Sequence, residues 1–177
     1  MTGYGWVALG KDDTVTDPKC GTSAITSTTQ CAATTWSTTD SLCMSGSIPA
    51  LPASPTSADY SNNWGIMLGI NATDPEGGGL GQSFSSVTIT VTGSPTSGLR
   101  AKVHKKGGPS DGYCAPYTSG AIPFTSFTTE CWNTTSPGTA ITAADVPNID
   151  QIGIQVPSSQ TAITVSNLCI TGITFAK

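Results

Sequence analysis

The chain has 177 residues, enough for one domain with a sizeable core. Only 10% of them are charged and the net charge is -4, an acidic, lysine-poor balance that argues against general nucleic-acid binding. No apolar run is long enough to cross a membrane as a helix, and 37% apolar residues at low net charge exclude a disordered chain.

Residues 1–40 differ from the remainder. The chain begins Met1-Thr2-Gly3-Tyr4, with neither a basic nor an apolar segment, so an export signal is expected to have been removed. One short apolar run, GWVALG, is followed by KDDTVTDPKC and TSAITSTTQCAATTWSTTD, both polar and turn-rich. This predicts a loop-rich N-terminal extension, residues 1–40, packed on a main body of residues 41–177. Extra edge strands on that body are the alternative.

From Leu42 onward a strand rhythm appears. The pattern predicts strands over 41–50, 63–70, 85–92, 98–104, 121–127, 151–156 and 163–175, the last with room for a turn inside it. Between them lie PASPTS, DPEGGG, GSPTSG, KKGGPSDG and TTSPGT, all rich in residues that break strands. VTITVTG alternates apolar and polar residues, as a half-buried strand does. WGIMLGI is nearly continuous apolar, which predicts a strand covered on both faces and places Trp64 in the core. TAADVPNID has room for one helical turn. Helix formers are scarce, and Glu occurs only at Glu76 and Glu130. The fold class is therefore all-β: a two-sheet antiparallel β-sandwich of jelly-roll type.

Cysteines stand at 20, 31, 43, 114, 131 and 169, with no CxxC pair and with His104 near none of them. That spacing does not suit zinc and does suit disulfides in an exported protein. LCMSGSI at 42–48 and LCITGIT at 168–174 are nearly the same heptad. In a jelly roll the first and last strands of the body lie side by side, which would pair Cys43 with Cys169. Gly46 and Gly172 would then mark bulges or close crossings. Such a bond closes a long loop and would stabilise by about 4–5 kcal/mol on the chain-entropy model. Cys114–Cys131 and Cys20–Cys31 complete this preferred set, and other connectivities stay open.

The order LCMSG, NNWGIMLGI, SFSSVTITVTG, GLRAKVHK, GYC, ECW, IDQIGIQV and NLCITGITF resembles that of exported jelly-roll domains related to carbohydrate-binding modules, the galactose-binding-like sandwiches. The resemblance runs from Leu42 to Phe175 and leaves out the first 40 residues. It implies a fold more firmly than a ligand, because this sandwich hosts many functions.

Catalysis is not expected. The carboxylates Asp12, Asp13, Asp17, Asp40, Asp59, Asp74, Glu76, Asp111, Glu130, Asp145 and Asp150 sit almost all in turn-like sequence, and no strand carries the pair that glycoside hydrolysis uses. The lone His104 has no nucleophile elbow to serve.

Binding fits better. Sugar rings present apolar C–H faces that flat aromatic rings meet. Trp36, Tyr60, Tyr113, Tyr117 and Trp132 lie in or beside polar, loop-like sequence. In RAKVHKK, Arg100, Lys102, His104 and Lys106 alternate, so a strand there carries them on one face, with Leu99, Ala101 and Val103 turned to the core. These residues could donate to a glycan, or attract a uronate or sulfate. An ordinary solvent-facing strand would carry them too.

No cofactor is expected. KDDTVTDPKC and NATDPEGGG offer oxygen ligands for a structural calcium ion without fitting an EF-hand, and no residue is assigned to a metal. Asn71 and Asn133 head glycosylation sequons. Together these features predict a secreted, non-catalytic carbohydrate-binding domain. Its partner would be a polysaccharide, with neither nucleic acid nor a membrane span. A structural or adhesive subunit of a surface layer or fibre is the alternative; the first should be a monomer, the second should self-associate.

Overall fold

The computed structural model describes residues 3–20, 23–24, 41–52, 60–73 and 77–177, without the side chains of 17–20 and 23–24. Trp36, Cys31 and the proposed Cys20–Cys31 bond lie outside the described residues. The strands are β1 (Gly5–Leu9), β2 (Thr14–Cys20), β3 (Ser23–Ala24), β4 (Leu42–Ile48), β5 (Ile66–Asn71), β6 (Ser86–Ser94), β7 (Arg100–Lys105), β8 (Tyr113–Pro116), β9 (Ile122–Pro123), β10 (Ile149–Val156) and β11 (Ile163–Ala176). They form two antiparallel sheets, one ordered β1-β5-β10-β7-β8 and the other β3-β2-β4-β11-β6-β9. The chain is an all-β jelly-roll sandwich. Among the described residues no helix is long and apolar enough to cross a membrane.

The core lies between the sheets and follows from alternation. On the five-stranded sheet, Val7, Leu68, Ile154, Ala101 and Ala115 stand in one register row, and Ile70, Ile152, Val103 and Tyr113 in another. All are buried. Leu42, Met44, Ile48, Val87, Ile89, Val165, Leu168 and Ile170 face them from the other sheet. Period-two spacing sends one side of each strand inward, so burying these β-branched and aliphatic side chains is the main stabilising term.

Residues 5–20 are tied to both sheets. β1 runs antiparallel to β5 from Gly5 opposite Ile70 to Leu9 opposite Ile66. β2 pairs with β4, with a register shift between Thr16 and Lys19. Asp13 turns the chain between them: it is buried, and its Oδ2 accepts from Gly10 N at 3.1 Å. Burial pushes its carboxyl pKa up, against the pull of the backbone donors at Gly10 and Gly65.

β4 and β11 are neighbours, with Cys43 directly opposite Cys169, and a disulfide joins them. Gly46 is a close crossing: a Cβ there would fall 2.2 Å from the carbonyl oxygen of Thr14 on β2. Gly172 follows a register shift in the β11–β6 ladder. β11 runs as one strand over these irregularities. Asn167, at φ 45°, takes up one of them, in the left-handed region that Asn tolerates better than most residues.

The segment 121–127 differs from the strand predicted there. Only Ile122–Pro123 pairs, against the start of β6, and a 3-10 turn follows at Phe124–Ser126. Pro123 has no N–H to extend a ladder. The turn drives Phe124 and Phe127 into the core, their ring centroids 6.0 Å apart.

The turn at Val146–Asn148 leads into β10. Asp145, just before it, accepts from Thr142 N and Oγ1 and pairs with Lys105 at the end of β7. The Lys105 ammonium and the Thr142 donors hold its carboxyl at about 2, below the ordinary 3.8. A depressed carboxyl stabilises the fold above its unfolded value, and that stability goes as pH falls through the folded value. Asp145→Ala should therefore cost about 1 kcal/mol at neutral pH, given solvent screening. The difference from wild type should vanish between about pH 4 and pH 2 in urea titrations across that range.

Candidate binding site

The outward side of the five-stranded sheet is built from three register rows. Ala8, Met67, Gln155, Arg100 and Pro116 form the first; Trp6, Gly69, Gly153, Lys102 and Cys114 the second; Asn71, Gln151 and His104 the third. The middle row has two glycines at its centre, which leaves space for neighbouring side chains: a Cβ on Gly153 would fall 3.1 Å from Met67 Cε. Trp6 uses that space. A Cβ on Gly69 would fall 2.3 Å from Trp6 Cζ2, so the indole lies on the sheet where a side chain would otherwise stand. Its Nε1 donates to Asn71 Oδ1 at 3.1 Å.

Polar groups surround this plate. Gln155, only 7% exposed, donates through Nε2 to Trp64 O at 2.9 Å. Trp64 is half-buried beside β5 and does not join the core predicted for it. Lys102 Nζ donates to Asp111 O at 2.6 Å. His104 Nδ1–H donates to Asp150 Oδ1 at 2.7 Å. Burial pushes the Lys102 ammonium below its ordinary pKa; Arg100 also lowers it, while the Asp111 carboxylate works the other way. Burial likewise lowers the Arg100 guanidinium. On this outward sheet side Gln155 is buried and Arg100, Lys102 and His104 are half-buried, more covered than such polar side chains ordinarily are.

Cys114 sits in the middle row beside Lys102 and is joined to Cys131. That bond brings Trp132 onto the rim, 54% exposed, with Arg100 Cζ over its ring at 5.4 Å from the centroid. Tyr60, 48% exposed, stands within electrostatic reach of the same guanidinium.

Of the residues singled out from sequence, Arg100, Lys102, His104, Trp132 and Tyr60 thus come together. Tyr113 and Tyr117 do not. Tyr113 is 5% exposed, and its ring belongs to an inner row. Tyr117 packs against the core and donates its hydroxyl to Ile89 O at 3.1 Å on the opposite sheet. Trp36 lies outside the described residues. Trp6, Gln151 and Gln155 escaped the reading from sequence. IDQIGIQV does alternate, with Ile152, Ile154 and Val156 on one side and Gln151 and Gln155 on the other. Trp6 could be placed only through its strand partner.

Among the described residues no three His, Cys, Asp or Glu side chains gather as metal ligands. The side chains of Asp17, Asp74 and Glu76, part of the two calcium candidates, lie outside those described. The sequon at Asn71 is shut in: Asn71 is 1% exposed and its Oδ1 is engaged by Trp6. Asn133 is half-buried, its Oδ1 accepting from Ser136 N at 3.1 Å.

No protein-family model matches the chain, and no curated protein does either. Among solved structures, a family 11 carbohydrate-binding module from Clostridium thermocellum, in complex with a beta-1,3-1,4-mixed-linked tetrasaccharide, is similar at 16% sequence identity. The match covers 95% of this chain and 88% of that one, with a TM-score of 0.42.

Proposed function

We propose that this protein is an exported, non-catalytic domain that binds glycan on the outward side of its five-stranded sheet. One observation carries the proposal: the Trp6 indole lies over Gly69 on this sheet face, with Gln151, Gln155, Lys102 and His104 in the same and adjoining rows. An aromatic plate meets the C–H face of a sugar, and amide, ammonium and imidazole groups meet its hydroxyls. Trp132 adds a second ring at the rim. The disulfides at Cys43–Cys169 and Cys114–Cys131 support an oxidising compartment. Sugar binding here needs no bond making.

The test is a screen of the purified protein against soluble and immobilised glycans, followed by titration calorimetry. Gln151→Ala and Trp132→Ala should each weaken the strongest interaction by about tenfold, as loss of a polar anchor or a stacking ring does. Absence of any glycan signal, together with self-association in sedimentation, would defeat the proposal and favour an assembly subunit.

A further inference from the structure

We infer that the glycan taken by this face is acidic, with a uronate carboxylate or a sulfate ester seated at Arg100 and Lys102. The inference rests on the reading of the face as a glycan site and names its ligand class.

The argument begins with charge. Four of the seven Lys and Arg residues lie within Arg100–Lys106, in a chain of net charge -4. Strand β7 then treats its basic groups in two ways. Lys105 is paired with the Asp145 carboxylate, and that hydrogen bond raises its pKa. His104 is paired with the Asp150 carboxylate. Arg100 and Lys102 have no carboxylate within ion-pair distance among the described residues, yet burial depresses both. Holding half-buried cations with no carboxylate in contact is unfavourable, and an arriving anion relieves that cost.

The free valences suit an oxyanion. The Arg100 Cζ lies over the Trp132 ring at 5.4 Å from its centroid, and no hydrogen bond to another described side chain engages the guanidinium's N–H edge. That edge is a fork matching the two oxygens of a carboxylate or of a sulfate. Lys102 uses one of its three donors on Asp111 O, leaving two. Lys102 stands opposite Gly153 in the ladder, where the chain itself contributes no side chain and the flexible Met67 Cε is the nearest side-chain atom, 3.1 Å from where a Cβ would stand. Arg100 and Lys102 are two residues apart on one strand, about 7 Å along it, and one charged sugar can be shared between them. Among the described residues, the exposed Asp111 carboxyl is the opposing charge within electrostatic reach of Lys102.

The experiment compares polygalacturonate with its fully methyl-esterified form, which has the same backbone without the charge, and with a sulfated galactan, by calorimetry on the full chain. The expected result is binding of at least one acidic polymer about tenfold or more above the ester. Binding of polygalacturonate identifies the carboxylate as the source, and binding of the galactan alone identifies the sulfate ester. Arg100→Gln and Lys102→Gln should each lower that affinity about tenfold, Arg100→Lys less, with unchanged circular dichroism. Equal binding of the acid and the ester, insensitive to Arg100→Gln, would overturn the inference and leave the glycan site standing. Acid binding that survives both Gln variants would overturn it as simple polyanion attraction. Binding of no polymer, charged or neutral, would overturn both.

Discussion

Replacing Cys43 and Cys169 together by alanine is expected to lower stability by about 5 kcal/mol, the largest effect of any change considered for this chain. The bond spans 126 residues, so its loss frees most of the unfolded chain. Domains of this size are stable by only about 5–15 kcal/mol, so the variant should sit close to its unfolding threshold at room temperature. Removing Cys114 and Cys131 instead frees a loop spanning 17 residues and should cost about 3 kcal/mol. The two variants differ more in binding than in stability. The first bond ties β4 to β11 in the other sheet, away from the outward side of the five-stranded sheet. The second fixes the residue next to Trp132 and stands in the row that contains Lys102. Urea unfolding and calorimetry on both variants check this. A loss under about 1 kcal/mol for the first pair would mean that the ladders alone hold β4 against β11. Intact glycan affinity in the second would mean that Trp132 is placed without its disulfide.

Much of this arrangement was legible in local pattern. The repeated heptads at 42–48 and 168–174 pointed to one ladder, because the first and last strands of a jelly-roll body lie side by side and can set their cysteines face to face; Gly46 is crowded by Thr14 O, whereas a Cβ on Gly172 would meet nothing closer than 3.5 Å. The alternation of Arg100, Lys102 and His104 was enough to place them on one face, since strand geometry has a strict period of two. What stayed hidden depends on partners distant in sequence. Trp6 gains its meaning from Gly69, which leaves room for the indole, and from Asn71, which accepts its proton. Nothing in GWVALG announces either. Tyr113 lies beside polar, loop-like sequence, yet its register opposite Val103 turns it inward. Pro123 should have warned against a strand through 127, since it withholds the donor that a ladder needs.

Trp6→Ala is expected to cost about 4 kcal/mol, because two losses coincide. The indole covers Gly69, so its removal exposes the outer surface of β5 and leaves the space unfilled. It also removes the donor to Asn71 Oδ1. Asn71 already carries a buried Nδ2 with no partner among the described residues, and the Trp6 bond to its Oδ1 offsets part of that burial. A double-mutant cycle separates the two losses. Trp6→Phe keeps a ring and drops the N–H, and should cost about 1–3 kcal/mol through the orphaned amide. Asn71→Leu takes away the acceptor and should cost about 1 kcal/mol, less whatever its unpaired Nδ2 already cost. The double variant should be more stable than the sum of the singles predicts by about 1–2 kcal/mol, since neither partner then waits unpaired. Strict additivity in urea unfolding would show that the indole acts by packing alone. Binding provides the independent arm. A phenyl ring still presents a flat face, so Trp6→Phe should hold glycan affinity within about threefold, whereas Trp6→Ala should lose about tenfold or more. Equal loss in both would mean that the ring buttresses the sheet without touching the sugar.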